Sequence, residues 1–459
     1  VNESVETLVI GAGISGMAYA YERLKQDPSA DLRVVDGSDR AGGLVLTVRV
    51  DDPLPVSFEA GPETISDPSG RARILATELN LERVQASASK RFLVHKSQLI
   101  EAPTSPGAFM KSPILPLRAR LRALREPLCT KGVALNGSIA DFVRHRLGSV
   151  VLDTLVDPLV AGIHASSPEQ LSLRACFPSL AEGVEKHGSI TAYMKSQAGK
   201  TEAQDRRPWK PAQGMGALTA ALAARLGSSL RLGNAVLDLR RSECGEHWEA
   251  HLQSGGIHAR RVVLALPIRA TECLLQRCLP AVSDSLSAVQ CESLTVVAHA
   301  YRRTDVRHAL DGFGYLVASQ SGLMHLGTLF SSTLNPGAID KDHVLLRTML
   351  GGSRPRPELD AGDGQILTLV QKEVGPLLGI KAKPVFSAVR RHQGALPRYD
   401  LDHPSRLRRL QEQLPGDLNL LGNHQRGIGL SALLKDASTL ALAHGSEHAV
   451  CGPAQARLS

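Results

Sequence analysis

The sequence predicts an α/β fold in which one sheet is completed by distant segments, with a second domain and a helical insertion between its pieces. Three observations carry this. A β–α–β unit opens the chain: residues 5–10 end in an apolar run, 14–25 follow a helical pattern, and a second apolar run spans 32–35. A mostly helical stretch then occupies 138–196. Alternating segments follow from 230 to 350, and a strand and a helix close the chain. The 459 residues suit two or three domains, and 43% apolar with 21% charged residues excludes a disordered or fibrous chain.

The elements follow in order. Residues 71–82 read as a surface helix and 91–103 as a hairpin. Six basic residues and one acid, Glu126, lie between Lys111 and Lys131, in a segment rich in proline and arginine. Within 138–196, breaks are expected at Gly148, Pro158, Gly162, Pro168, Pro178 and Gly188. Residues 198–212 are polar and read as a loop, and 217–226 as a helix. Strands of a small antiparallel sheet are expected at 230–241, 247–253 and 257–266, with more alternation at 293–301, 313–331 and 343–350. A helix over 362–379, a strand at 418–421, a glycine-rich turn and a helix over 431–444 complete the reading.

Composition narrows the function. Lys+Arg exceed Asp+Glu by a formal +8, which suits an anionic substrate or surface. Eight Phe, six Tyr and two Trp supply few stacking platforms, so a single-strand nucleic-acid binder is not expected. The seven cysteines, Cys129, Cys176, Cys244, Cys273, Cys278, Cys291 and Cys451, form no CxxC pair. Free thiols fit them better than zinc, iron–sulfur or disulfide chemistry. No apolar run approaches the roughly 20 residues of a membrane span. The apolar stretch 8–21 follows Glu3 and Glu6 and carries patterned glycines, unlike a signal peptide. A cytoplasmic protein is expected.

Gly11-Ala12-Gly13-Ile14-Ser15-Gly16 is a GxGxxG between a strand and a helix. The first glycine permits a tight turn, the second a close approach of backbone to a pyrophosphate, and the third close helix–strand packing. Asp36 stands 20 residues after Gly16, where a carboxylate can accept from a ribose diol. Asp39-Arg40-Ala41-Gly42-Gly43 follows, and then Glu59-Ala60-Gly61-Pro62. These resemble the RxGG and E-x-G-P signatures of two-dinucleotide-binding flavoproteins, whose cofactor is FAD.

Beyond these motifs the chain resembles the oxygen-dependent, FAD-containing protoporphyrinogen oxidase family. The run Phe142-Val143-Arg144-His145-Arg146-Leu147-Gly148 carries much of the likeness, with Leu155 to Ala165 and Pro168 to Pro178. Arg91 to Val94, Gly312 to Leu316, Met349 to Gly352, Ala395 to Tyr399 and Gly422-Asn423 also match, and the likeness covers nearly the whole chain in order. It implies a Rossmann-like two-dinucleotide-binding FAD domain with a mixed-sheet substrate domain and a helical, membrane-associating insertion. The implied boundaries are 1–82, 197–290 and 390–459 for the FAD domain, 83–103 and 291–389 for the substrate domain, and 104–196 for the insertion.

The resemblance also implies roles. Arg91 takes the place of an arginine that pairs with a substrate propionate, which a guanidinium grips with two parallel bonds. Gly162 lets a tetrapyrrole lie against the backbone, and Leu316 and Met349 sandwich a ring. FAD is expected at Gly11, Gly13, Ile14, Ser15, Gly16, Asp36, Gly37, Arg40, Gly42, Gly43, Gly61, Pro62, Val236, Leu266, Gly422, Gly427 and Ile428. The flavin carries the chemistry, so no catalytic side chain is expected. His145, His164 and His187 read as solvated or capping residues, and no metal-binding motif appears.

Expected partners are a porphyrinogen, dioxygen, an anionic membrane surface met by residues 111–131 and a second copy of the chain. The sequence departs from the family at Gln213-Gly214-Met215-Gly216, at Asn423-His424-Gln425-Arg426 and at Leu433-Leu434-Lys435-Asp436-Ala437. Coproporphyrinogen oxidation, a flavin amine oxidase and a non-catalytic FAD-binding homologue stay open as alternatives. An amine oxidase needs an aromatic cage, for which the last third offers only Tyr399 and Phe386.

Overall fold

A computed structural model describes residues 2–86, 88, 90–129, 135–197, 207–354 and 361–450. Two seven-stranded sheets organise the chain. In the first, strand Asn2–Ile10 lies between Leu32–Val35 and Gly255–Leu264, parallel to both. Leu418–Leu420 adds in parallel to Gly255–Leu264, and the hairpin partners Trp248–Leu252 and Val236–Arg241 extend the sheet antiparallel. Three distant stretches of sequence therefore build one sheet.

Helix Ile14–Gln26 is buried on nearly every face. Met17 and Tyr19 pack with Leu218 and Leu222 of helix Gly216–Leu226 and with Leu434, Ala437 and Ala441 of helix Leu430–Val450. Small alanines let the backbones approach, and each fully buried leucine contributes about 1.5–3 kcal/mol. Tyr19 and His444 join their polar atoms across this contact at 2.6 Å, which explains a buried tyrosine in an otherwise apolar core.

The second sheet runs Phe386–Pro397, Cys291–Arg302, His343–Gly351, His325–Leu329, Gly314–Leu316, Phe92–His95, Gln98–Glu101. Helix Asp363–Leu378 packs on one face through Ile366, Val370 and Val374. The other face turns toward the first domain. The expected 389/390 boundary falls inside strand Phe386–Pro397, which pairs along its length with Cys291–Arg302.

The helical insertion gathers around Phe142, Val143, Leu152, Val160, Leu171 and Val184. Ser138 and Asp141 form a reciprocal cap at the start of helix Ile139–Arg146. Two expected breaks are not breaks. Pro158 follows directly on the π-helical turn Leu152–Val156, and the helix continues through it to His164, with Gly162 inside it. One other difference lies nearby. Of the expected loop 198–212, residues 198–206 lie outside the described residues, and Trp209–Pro211 is a buried strand paired with Arg83–Gln85. The basic segment forms helices Pro106–Lys111 and Leu117–Leu124, with Thr130 and Lys131 outside the described residues. The six described cysteines are free, and Cys451 lies outside the described residues. Among the described residues no helix is long and apolar enough to cross a membrane.

Candidate functional site

The glycine turn between the first strand and helix Ile14–Gln26 forms a cradle. Gly11 adopts φ +112°, and a Cβ there would lie 2.5 Å from the Ala265 carbonyl oxygen. A Cβ on Gly16 would collide with the Gly11 carbonyl oxygen, so helix and turn close on each other only with glycine at both places. Gly13 differs: a side chain there would meet nothing within 4 Å. Gly13 is also the N-cap of the helix, with no capping side chain and no acid in the first turn. The amides of the first turn, which include Ile14, Ser15 and Gly16, therefore point their donor end and dipole into open space, the environment a diphosphate needs.

Asp36 closes the far side. Its carboxylate accepts from the Ala12 N–H at 2.7 Å and the Ser38 N–H at 2.8 Å, and remains half-exposed. Each oxygen keeps a lone pair for a diol. The Asn234 N–H donates to the Asp36 carbonyl, and Gly37 packs on Ala235, which brings Val236 to this end. Gly42 donates to the Ala12 carbonyl at 2.8 Å, and Gly43 lies against Gly13, so the second glycine pair extends the same backbone surface. Arg40 is exposed and bonds back to the Ala41 and Gly43 carbonyls at 3.1 and 2.6 Å. It braces the glycine turn, with donors left over for an anion.

Gly61 packs so closely under the Leu44 carbonyl that any side chain would strike it, and Pro62 beside it is half-buried. Leu266 reaches Gly11 with its side chain and Gly422 with its carbonyl, which places the C-terminal turn beside the first glycine. Tyr399 ties that turn down: its hydroxyl donates to the Asn423 carbonyl at 2.5 Å and its ring stacks on His403 at 4.1 Å. Gly427 precedes Ile428, which packs into the helical insertion's core. Among the residues expected at the cofactor, Ile14, Val236 and Leu266 also have apolar protein neighbours, in the cores on the two faces of the first sheet.

The open cradle, the uncapped helix and the diol-accepting acid fit FAD. A buried charged network lies between this domain and the second sheet. Lys210 reaches Glu59 at 3.0 Å and Glu63 at 3.4 Å, and Arg347 reaches Glu63 at 2.8 Å and the Glu59 carbonyl at 3.0 Å. Two acids and two bases balance, and Thr47 and the Met215 N–H satisfy the remaining oxygens of Glu59. The departing Gln213-Gly214-Met215-Gly216 segment is thus anchored: Gly214 sits against Thr47 and Glu59, and the Gly216 N–H donates to Thr47 Oγ1. Sequence reading missed Glu63, Lys210 and Arg347. They lie in different segments with no motif of their own.

On the second sheet, cross-strand register brings the expected substrate residues together. Leu93, Leu316, Gly327, Met349 and Val296 occupy one row across five strands. Arg347 shares their face, as does His392, which donates to the Ala60 carbonyl at 2.7 Å, so this row faces the cofactor domain. Gly162 lies directly against Leu316: a Cβ there would be 2.6 Å from Leu316 Cδ2. The glycine therefore serves close packing on the row rather than a helix break. Arg91 is exposed at the sheet edge, with its guanidinium 5.1 Å from the Phe313 ring centre, and among the described residues it pairs with no carboxylate. Arg390 continues the row next to Val296 and is also exposed. Sequence reading missed it because its strand was not recognised.

Behind the row, the opposite face carries a buried hydrogen-bonded chain. Tyr301, His299, Thr348, Thr328, Tyr315 and His325 join successively at 2.9–3.2 Å, and His325 meets Glu373 of the covering helix at 2.6 Å. Three of its members are chain neighbours of Leu316, Gly327 and Met349. Burial pushes the His299 imidazole down to about 3, so it stays neutral. His164 is likewise not solvated. It is buried beside Phe177 and Tyr399, which lowers it to about 4. His424 is fully buried, and burial together with His403 pushes it to about 4. The two aromatics of the last third that an amine-oxidase cage would need stand apart: Phe386 packs on Phe58, and Tyr399 belongs to the helical core.

A nucleotide cradle of this kind, closed by a C-terminal turn and facing a separate apolar sheet, defines an FAD-dependent oxidoreductase. Residues 14–424 match the model of the family described as flavin containing amine oxidoreductase, and the chain belongs to that family. It is 29% identical to the mitochondrial protoporphyrinogen oxidase of Nicotiana tabacum, over 94% of this chain and 93% of that protein. It is 25% identical to the coproporphyrinogen III oxidase of Bacillus subtilis, over 92% of this chain and 94% of that one. A crystal structure of a candidate protoporphyrinogen oxidase from Exiguobacterium superposes with a TM-score of 0.82 at 20% identity, covering 97% of this chain and 99% of that one.

Proposed function

We propose that this flavoenzyme oxidises a porphyrinogen, protoporphyrinogen IX first, to the porphyrin in tetrapyrrole synthesis. The observation that carries the reading is the apolar row Leu316–Gly327–Met349, lined up on the face toward the cofactor domain and met there by Gly162. A flat, reduced macrocycle needs such a surface, and the names of the full-length relatives support that substrate class. When bound, FAD takes hydride equivalents from the ring; six hydrogens leave in all, and three dioxygen molecules become three of hydrogen peroxide. The chain's own part is placement. Leu316 and Met349 hold the ring by its faces, and Arg91 grips a propionate at the edge. The first-turn amides and Arg40 hold the cofactor's phosphates, and the Glu59–Lys210–Glu63–Arg347 network keeps the two domains in register.

The test is anaerobic mixing of the FAD-loaded protein with protoporphyrinogen, and in parallel with coproporphyrinogen. Bleaching of the flavin band and appearance of porphyrin fluorescence are expected, faster with protoporphyrinogen. Faster bleaching with coproporphyrinogen would transfer the assignment to that substrate, and no bleaching with either would overturn enzymatic porphyrinogen oxidation.

The reading includes peripheral contact with an anionic membrane, on the cytoplasmic side. Leu117, Leu121, Leu124 and Leu128 are exposed along helix Leu117–Leu124 and the turn after it, with Arg118 and Arg125 exposed beside them. Two expected lipid-facing arginines are engaged elsewhere. Arg120 caps the carbonyls of Met110, Ser112 and Leu115, and Arg122 donates to the Arg144 carbonyl. Sedimentation with anionic vesicles, and not with neutral ones, is the expected result; L121E/L124E should abolish it.

A further inference from the structure

The outer face of the first sheet carries a side-chain cluster that neither the cofactor nor the substrate uses. Strands Trp248–Leu252 and Gly255–Leu264 pair antiparallel, with Glu249 opposite His258. Trp248, Ala250, Leu252, Ile257 and Ala259 point into the apolar core under helices Ile268–Leu275 and Pro280–Ser287. Alternation therefore sends His247, Glu249 and His258 to the opposite face. Their ligand atoms all lie within 4.8 Å of one another. His247 Nε2 is 3.6 Å from Glu249 Oε1, and the two imidazole centres are 5.1 Å apart, tilted by 39° rather than stacked.

We infer that His247, Glu249 and His258 form a binding site for a divalent transition-metal ion of the zinc class. Two imidazoles and one carboxylate suit zinc, copper and nickel rather than magnesium or calcium, which prefer all-oxygen shells. Bonds of about 2.0–2.1 Å in a tetrahedral shell place neighbouring ligand atoms about 3.4 Å apart. Small side-chain rotations bring the three donors to that spacing from where they stand. The scaffold is rigid, because the buried Trp248 and Ala259 fix the backbone from below. The His247 and Glu249 side chains are 31% and 34% exposed, so an ion reaches them from solvent and keeps a water as fourth ligand. Among the described residues no arginine pairs with Glu249: Arg240, its neighbour on the next strand, is bonded to Asp238. The ion would clasp two adjacent strands at the end of the sheet away from the Leu32–Val35 side, and would act on stability rather than turnover.

Titration calorimetry of the chelator-treated, FAD-loaded protein with zinc chloride tests this. One ion per chain is expected, with a higher thermal midpoint in zinc and tetrahedral absorption bands when cobalt(II) replaces it. H247A, H258A and the isosteric E249Q should each weaken binding about tenfold or more. Exposed His251 lies on the same face opposite Gly256, outside the cluster, and H251A should leave binding unchanged. Retained FAD absorbance confirms that each variant is folded, and if an alanine variant loses it, E249Q decides. No binding at millimolar zinc, or binding unaltered in E249Q and in the folded histidine variants, would overturn the site.

Discussion

The cofactor cradle and the substrate face are built on opposite principles. The cradle is local: Gly11, Gly13 and Gly16 act within one turn, through backbone atoms and the space their missing side chains leave. The proposed substrate face is assembled from residues far apart in sequence, Leu93, Leu316, Gly327 and Met349, which meet because of strand register alone. At Gly11 and Gly16 the first is therefore sensitive to any added atom. The second depends on what holds the strands in place, including the buried chain from Tyr301 to Glu373 behind it and the charged network at its border.

Changes that strike each principle differ in size. Gly16→Val should have the largest effect, since its side chain would drive the helix off the turn; the purified protein should carry almost no flavin by absorbance. Retained full occupancy would show the cradle to be more pliant than its packing.

Arg347→Met comes next. It leaves buried Glu63 with Lys210 and the Ser331 hydroxyl and should cost about 3 kcal/mol in denaturant unfolding. Adding Glu63→Gln should recover part of that loss, and strict additivity of the two would argue against coupling across the domain border.

Gly162→Val should act on the substrate face alone. It crowds Leu316, so KM for the porphyrinogen should rise about tenfold while flavin content stays whole. A loss of flavin instead would mean that the two regions are not separable.

The smallest effect concerns the insertion. Burial raises the Glu126 carboxyl, but the Ile190 and Thr191 N–H groups, the Thr191 hydroxyl and Arg146 outweigh it and hold it below the ordinary 4.5. A depressed acid stabilises the fold fully above its unfolded value and loses that contribution as pH falls through the folded one. The urea midpoint should therefore drop as pH falls below about 4.5, with a shallower drop in Glu126→Gln. Equal slopes would remove Glu126 from the acid response.

How much was legible follows the same division. The β–α–β unit, the glycine turn and Asp36 were readable because their geometry is set within about forty residues by backbone sterics. Arg91, Gly162, Leu316 and Met349 came from resemblance, and composition or periodicity could not have joined them. Strand Phe386–Pro397 escaped because charged residues interrupt its alternation, and Arg390 escaped with it. Gly162 was misread as a break, since a glycine in a helix looks the same whether it ends the helix or admits a neighbour.

By itself the sequence determined the local chemistry: a helix start without a cap, a turn only glycine can make, and an acid placed for a diol. Only the tertiary structure decided which face of the second sheet turns to the cofactor, that Lys210 and Arg347 share Glu63, and that His247, Glu249 and His258 converge. The first two join segments far apart in the chain, and the third needs the register of one hairpin, where a one-residue slip would send its side chains to the other face.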